Sequence, residues 1–180
     1  MKRFSILFIT TLLISACTSP TKVTAPGFVT SCDQIRLLES ADKSVLMRCL
    51  DGSGETNFHQ IKGPLIINVW GSWCEGCKQE MPYFVELYQS PLFKSGQIQM
   101  LGVNVEEKSK EDAIDYIQKS GMSWPNLEDT SGISKSIFGP GVPVTWFIDE
   151  NGKNIKTKIG AYTNKKQLFN QVEKAFGVKL

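Results

Sequence analysis

The chain has 180 residues, 41% hydrophobic and 21% charged, with a formal net charge of +2. That is the composition of a soluble globular protein with enough chain for one domain and a real core. The near-neutral balance removes the electrostatic case for nucleic-acid binding, and no polybasic patch supports adhesion to an anionic membrane.

The first residues read as a leader. Met1-Lys2-Arg3 is basic and Phe4 to Ile14 is apolar, followed by small residues up to Cys17. From Phe4 to Ala16 the run is too short to cross a bilayer as a helix, which needs roughly 20 residues. Residues 1–16 are therefore expected to be a signal peptide and the domain to be exported. Leu13-Ile14-Ser15-Ala16-Cys17 resembles a bacterial lipobox. That resemblance implies cleavage before Cys17 and a diacylglyceryl group on its sulfur. The alternatives are an ordinary secreted protein with a chance cysteine, and an uncleaved anchor. Loss of Lys2 and Arg3 takes the formal charge from +2 to 0, so attachment to the membrane would rest on the lipid alone. Residues 17–27 are polar, Pro-containing and non-periodic, and read as a tether. Residues 28–180 form the expected domain.

Ser44 to Leu50 reads as a strand, with Asp51-Gly52-Ser53-Gly54 as the turn after it. Leu65 to Trp70 is an apolar run broken only by Asn68, which suits a strand buried on both faces. Cys74 to about Gln89 shows helical spacing, with Cys77, Met81, Phe84, Val85 and Tyr88 along one side. Pro82 inside it lacks an N–H and should kink it. Ile98 to Val105 is the next strand. Lys110 to Ser120 is a helix with Ala113, Ile114 and Ile117 inward, a solvated charge run at its start and Gly121 as its stop. Ile133 to Phe138 is a short helix and Val144 to Ile148 a strand. Asp149-Glu150-Asn151-Gly152 carries the Asn-Gly hairpin signal, and Ile155 to Ile159 pairs back across it. Asn164 to Phe176 is a closing helix, with Leu168, Val172 and Phe176 at helical spacing and Gly177 beyond. There is no internal repeat. The order β-α-β-α-β-β-α, after one extra N-terminal strand, specifies an α/β layer fold with a mixed sheet.

The chemistry sits in Trp73-Cys74-Glu75-Gly76-Cys77, at the junction of the apolar strand and the long helix. Two cysteines spaced C-x-x-C can close a small disulfide and reopen it, which is thiol–disulfide exchange, with zinc binding as the rival. Zinc needs more ligands, and the chain has one histidine, His59, read as a surface loop residue, and no other C-x-x-C. A purely structural disulfide remains open. Cys74 falls at a helix N-terminus, where unpaired N–H groups and the helix dipole favour a thiolate, so it is the expected nucleophile. Cys77, more buried, would resolve the mixed disulfide. With Cys17 lipidated, Cys32, Cys49, Cys74 and Cys77 remain, and sequence alone allows three pairings. Cys74–Cys77 is the short-range pair. Cys32–Cys49 would then be a structural bridge from the N-terminal segment to the first strand, or a second redox couple.

The stretch from Leu65 to Pro82 (LIINVWGSWCEGCKQEMP) and the later Gly141-Val142-Pro143-Val144-Thr145-Trp146-Phe147-Ile148-Asp149 resemble the two signatures of the TlpA/ResA-type extracytoplasmic thioredoxins. Gly152 and Gly160 fall at that family's hairpin and at the glycine after it. The match runs from about Val45 to the C-terminus and implies a thioredoxin-like fold. Asn68 stands where thioredoxins keep a buried aspartate. Glu80, three residues after Cys77, is placed as in the TlpA/ResA group. Glu75 also fits the ResA pattern, whereas Gly76 replaces its Pro at a position that tunes the potential.

The resemblance implies that Glu80 shuttles protons for the cysteine pair, with a pKa raised towards neutrality in a low-dielectric site. Its helix alone would read it as a solvated glutamate. It further implies a cis bond before Pro143, opposite the cysteines. There the Val142 backbone could pair with an extended substrate, and proline's missing N–H would help to exclude metals. Trp73 is expected beside the pair as a partly exposed contact surface, or as an ordinary core aromatic; Trp70 is expected in the core. The function expected is a thiol–disulfide oxidoreductase, extracytoplasmic and tethered to the membrane through Cys17, using no cofactor and no metal. Its partners would be protein substrates with cysteine pairs. Resemblance to ResA implies a reductant for the haem-binding cysteines of apocytochrome c, which would draw electrons from a membrane thiol–disulfide donor. The alternatives are a disulfide-forming oxidase or isomerase, a non-catalytic thioredoxin-like binding module, and a peroxidase.

Overall fold

The computed structural model describes residues 25–180, so the expected signal peptide, Cys17 and most of the tether lie outside the described residues. The described chain forms strands β1 (Leu46–Cys49), β2 (Glu55–Asn57) and β3 (Leu65–Trp70), then helices α1 (Glu75–Tyr88) and α2 (Pro91–Lys94). Next come β4 (Gln99–Val105), α3 (Lys110–Ser120), β5 (Asn126–Asp129), α4 (Ser134–Phe138), β6 (Val144–Ile148), β7 (Asn154–Ile159) and α5 (Lys165–Phe176). The strands make one sheet in the order β2-β1-β5-β4-β3-β6-β7. Its centre, β5-β4-β3, is parallel, and the remaining neighbours pair antiparallel. This is the thioredoxin-like α/β fold with a mixed sheet. Among the described residues no helix is long and apolar enough to cross a membrane.

β3 is buried along its whole length, because both faces of the sheet are covered. Its side chains alternate between two cores, as strand geometry requires. Ile66 and Trp70 pack with Phe84 of α1, Ile117 of α3 and Leu168 of α5. Ile67 and Val69 pack on the other side with Cys32, Ile35, Phe58 and Phe138. Side-chain caps fix the helix starts: Ser109 accepts from the Asp112 N–H at 3.2 Å, and Asn164 from the Gln167 N–H at 3.1 Å. Gly121, at φ 84°, ends α3 in the left-handed conformation that a side chain disfavours.

Three elements go beyond the sequence expectation. β2 pairs with β1, so the N-terminal extension is a hairpin rather than one strand. α2 is a single turn opened by Pro91 at its first position. β5 reads Asn-Leu-Glu-Asp, poor in β-formers, and tertiary contacts select it. Asn126 accepts from Trp70 Nε1 at 2.9 Å and donates to the Trp124 carbonyl at 2.8 Å. Gly102 on β4 makes the room: a Cβ there would lie 1.7 Å from Asn126 Oδ1.

Among the described residues, Gly27 is anchored to the domain: its N–H donates to the Gln118 carbonyl at 2.9 Å, at the end of α3. A Cβ on Gly27 would lie 2.1 Å from the Ile117 carbonyl oxygen, so only glycine passes here. The arm that follows is joined to β1 by a Cys32–Cys49 disulfide across 17 residues of chain. Closing a loop of that size restricts the unfolded chain by about 3 kcal/mol in the entropy model. The Cys32→Ser/Cys49→Ser double variant is accordingly expected to lose about that much stability in urea unfolding. An unchanged midpoint would show that the arm's packing and hydrogen bonds, such as Arg36 to the Pro64 carbonyl at 2.8 Å, hold it without the disulfide.

Candidate active site

β3 delivers the chain to the site, and a short loop, Gly71-Ser72-Trp73, turns it into α1. That loop is clamped from the β4–α3 connection. The Ser72 N–H and hydroxyl donate to the two Glu107 oxygens at 2.5 and 2.6 Å, and Asn104 Nδ2 donates to Glu107 at 2.7 Å. Trp73 Nε1 donates to the Val105 carbonyl at 3.2 Å, which leaves the indole 48% exposed at the rim. Gly71 accommodates that ring, since a Cβ there would sit 2.6 Å from Trp73 Nε1.

Cys74 is the N-cap of α1, with extended backbone angles and its sulfur accepting from the Cys77 N–H at 3.1 Å. The two cysteines are disulfide-bonded, with Cα atoms 5.2 Å apart. Cys74 keeps 5% of its surface and Cys77 none. That Cys77 N–H, at the positive end of the helix, stabilises negative charge on the Cys74 sulfur once the bond is reduced.

Glu80 lies three residues beyond Cys77, on the same side of α1. It is completely buried. Its carboxylate accepts from Asn68 Nδ2 at 3.0 Å and from the Tyr162 N–H at 2.9 Å. Burial outweighs the lowering by those two hydrogen bonds and the Lys158 cation, so its pKa is raised from 4.5 to about 7. Burial, with the Glu80 charge added, also pushes the Tyr116 and Tyr162 phenols up. Asn68 Oδ1 is buried without a partner. Turned over, the amide would offer that oxygen to a protonated Glu80, so the pair can be satisfied in either protonation state.

The Val142–Pro143 peptide is cis. Pro143 faces the turn between the cysteines, because a Cβ on Gly76 would lie 3.3 Å from Pro143 Cδ and 3.5 Å from Ala161 Cβ. The Gly160 N–H donates to the Pro143 carbonyl at 2.9 Å and ties the two loops together. A second cis bond, Gly63–Pro64, lies at the start of β3.

The fold thus gathers Trp73, Cys74, Cys77, Glu80, Val142 and Pro143 around the first turns of α1. It leaves Cys32 and Cys49 apart, because β1 is separated from β3 by β5 and β4. Among the described residues one cluster has metal-ligand spacing, the Cys32 and Cys49 sulfurs with an Asp51 oxygen, all within 4.8 Å. The disulfide occupies both of its sulfurs. His59 sits half-buried on the 3-10 turn Phe58–Gln60, its ring 5.9 Å from that of Phe58, rather than on an open loop. The residues missed by sequence reasoning are Glu107, Tyr116, Lys158 and Tyr162. Each reaches the site from a distant element, and no local spacing signals it.

A cysteine pair capping the helix that follows a central strand, facing a cis-proline, defines a thioredoxin-fold redox protein. Residues 41–156 match the model of the AhpC/TSA family, and the chain belongs to that family. It is 35% identical over 100 residues to the thiol-disulfide oxidoreductase ResA of Geobacillus thermodenitrificans (strain NG80-2). That match covers 55% of this chain and 56% of the relative, so the chain spans little more than half the relative's length. It is 33% identical over 140 residues to ResA of Bacillus subtilis (strain 168), covering 77% of this chain and 67% of that one. The crystal structure of StoA from Bacillus subtilis superposes with a TM-score of 0.57 at 27% identity, over 70% of this chain and 93% of StoA. The fold is thioredoxin-like, and these ResA relatives are named thiol-disulfide oxidoreductases.

A raised carboxyl pKa has a definite consequence for stability. Below about pH 4.5 Glu80 is protonated folded and unfolded, and contributes no penalty. As pH rises to about 7 the unfolded chain gives up the proton while the folded one keeps it, so stability falls. Above that range the penalty is constant, at about 3 kcal/mol. Glu80→Gln is expected to be more stable than the parent at pH 8 and comparable near pH 4.5, with a flatter profile between, read by denaturant unfolding of the oxidised protein. A parallel pair of profiles would refute the raised pKa.

Proposed function

We propose that the protein is an extracytoplasmic thiol–disulfide oxidoreductase, held to the membrane by a lipid on Cys17, that reduces disulfides in protein substrates. The observation that carries this reading is the Cys74–Cys77 disulfide at the N-terminus of α1, with the buried Glu80 carboxyl one turn further on and cis-Pro143 facing it. In the dithiol form, the Cys74 thiolate attacks one sulfur of a substrate disulfide. The substrate S–S bond breaks, its other sulfur leaves as a thiolate, and a mixed disulfide forms. Cys77 then gives its proton to the Glu80 carboxylate and attacks the Cys74 sulfur. The mixed disulfide breaks, the second substrate sulfur departs and takes up the proton, and the Cys74–Cys77 bond closes. The substrate has gained two electrons. A carboxyl with a pKa of about 7 suits both halves of that proton transfer at neutral pH.

A reducing direction is supported by what surrounds the dithiol. A strong oxidant favours its reduced form through a stabilised thiolate. Here a buried carboxyl on the same helix face and the acidic Glu75 in the first turn oppose a lasting thiolate. Set against the Cys77 N–H, which favours the Cys74 thiolate, these acidic groups favour the disulfide, and that supports a reducing role. Resetting the dithiol takes two electrons from a thiol donor, a membrane thiol–disulfide protein in this reading. Half-buried Val142, just before the cis bond, is the backbone position for an extended substrate segment, with Trp73 at the rim as contact surface. Export is supported by the leader-like residues 1–16, and the Cys32–Cys49 disulfide fits an oxidising compartment. The resemblance to the ResA group makes the haem-binding cysteine pair of apocytochrome c the first client to test.

Cys77→Ser is expected to accumulate mixed disulfides with cysteine-paired exported proteins, and Cys74→Ser to accumulate none, on non-reducing gels. If Cys77→Ser traps nothing while Cys74 still alkylates, exchange is not the function. A reduction potential well below about −200 mV fits the reductant, whereas one near about −120 mV assigns an oxidant.

A further inference from the structure

Lys158 stands near the end of β7, paired in register with Thr145 of β6. Its ammonium does not point into solvent. It reaches forward along its own chain and donates to three successive carbonyls, those of Ile159 at 2.7 Å, Gly160 at 2.8 Å and Ala161 at 3.4 Å. It also lies 5.5 Å from the centre of the Tyr162 ring, within cation–π reach. The segment so crowned touches three parts of the candidate site. The Gly160 N–H holds the Pro143 carbonyl. Ala161 borders the Gly76 turn. The Tyr162 N–H holds Glu80.

We infer that Lys158 is a positioning residue for the Cys74–Cys77 site: by binding the carbonyls of residues 159–161 it fixes the loop that presents the Tyr162 N–H to Glu80 and the Gly160 N–H to cis-Pro143. This rests on the proposed function, and it adds a residue that neither touches the cysteines nor belongs to either signature. The groups facing the Glu80 carboxyl are Asn68 from β3, Tyr162 from the loop before α5, and Tyr116 from α3, with Cys77 one turn earlier on its own helix and Glu75, in the first turn, acting on Tyr116. Tyr116 and Tyr162 stay neutral across the working range, because burial pushes both phenols up. Lys158 is the cation of this set. Its removal takes away a favourable charge and loosens a hydrogen bond to the carboxylate. Both changes favour the protonated carboxyl.

The test is the titration of the Glu80 carboxyl carbon by NMR in the oxidised, full-length protein, in the parent and in the variants Lys158→Met, Lys158→Gln and Lys158→Arg. Lys158→Met is expected to raise the midpoint by roughly half to one pH unit, as for loss of a nearby opposite charge. The pH profile of disulfide-exchange rate should move with it, and Lys158→Arg should restore both. Lys158→Gln, which keeps a donor without the charge, reads the same shift should Lys158→Met not fold. Unchanged midpoints in the uncharged variants, with only thermal stability reduced, would overturn the inference and leave Lys158 a structural residue. The titration does not depend on turnover: a protein that exchanges with no protein disulfide would refute the proposed function, while the midpoints would still judge Lys158.

Discussion

The buried carboxyl of Glu80 is the constraint on which the site depends. A carboxylate removed from water needs hydrogen-bond donors, and this one finds them on β3 and on the loop before α5. Satisfying Glu80 therefore fixes the spacing between the long helix, the central strand and the C-terminal loop. The same spacing puts Ala161 and Pro143 against the turn between the cysteines. Burial strong enough to move the carboxyl to about pH 7 is what the proposed proton transfer requires. The group that burdens the folded state is the group proposed as the proton partner of the cysteine pair.

Around that constraint the scaffold is conventional in its physics. β3 is buried on both faces, so it cannot shift register by one residue without carrying Asn68 and Trp70 into the opposite core. Asn68 meets Glu80, while Trp70, two residues on, anchors Asn126 and hence the short strand β5. One strand thus sets both the polar contact beneath the site and the outer half of the sheet. The N-terminal arm is attached separately, by Gly27 against α3 and by the Cys32–Cys49 bond to β1. That attachment is remote from Cys74, and the two disulfides occupy different parts of the molecule.

Much of the fold could be read in advance because its long elements carry strong local patterns. β3 announces itself as an apolar run, α1 and α5 as helical stripes, and the β6–β7 connection through Asn151-Gly152. The elements that were not foreseen are short, and the two strands among them, β2 and β5, are mostly polar. β5 exists because Trp70 and Gly102, far away in the chain, create the place that Asn126 fills. The cysteine pair is legible through its spacing, and Glu80 and Pro143 only through the resemblance, since a glutamate on a helix and an X-Pro bond have ordinary solvated and trans readings.

The sequence by itself determined the class of fold, the strand-to-helix junction and the two cysteines placed there, because those features are encoded by neighbours a few residues apart. Tertiary structure alone decided that Glu80 is buried, that Glu107 clamps the loop before Cys74, and that Lys158 and Tyr162 reach the site from its other side. Those contacts join residues 35 and 82 positions apart. No local periodicity records them; they follow from the crossing of strands and helices when both faces of the sheet are covered.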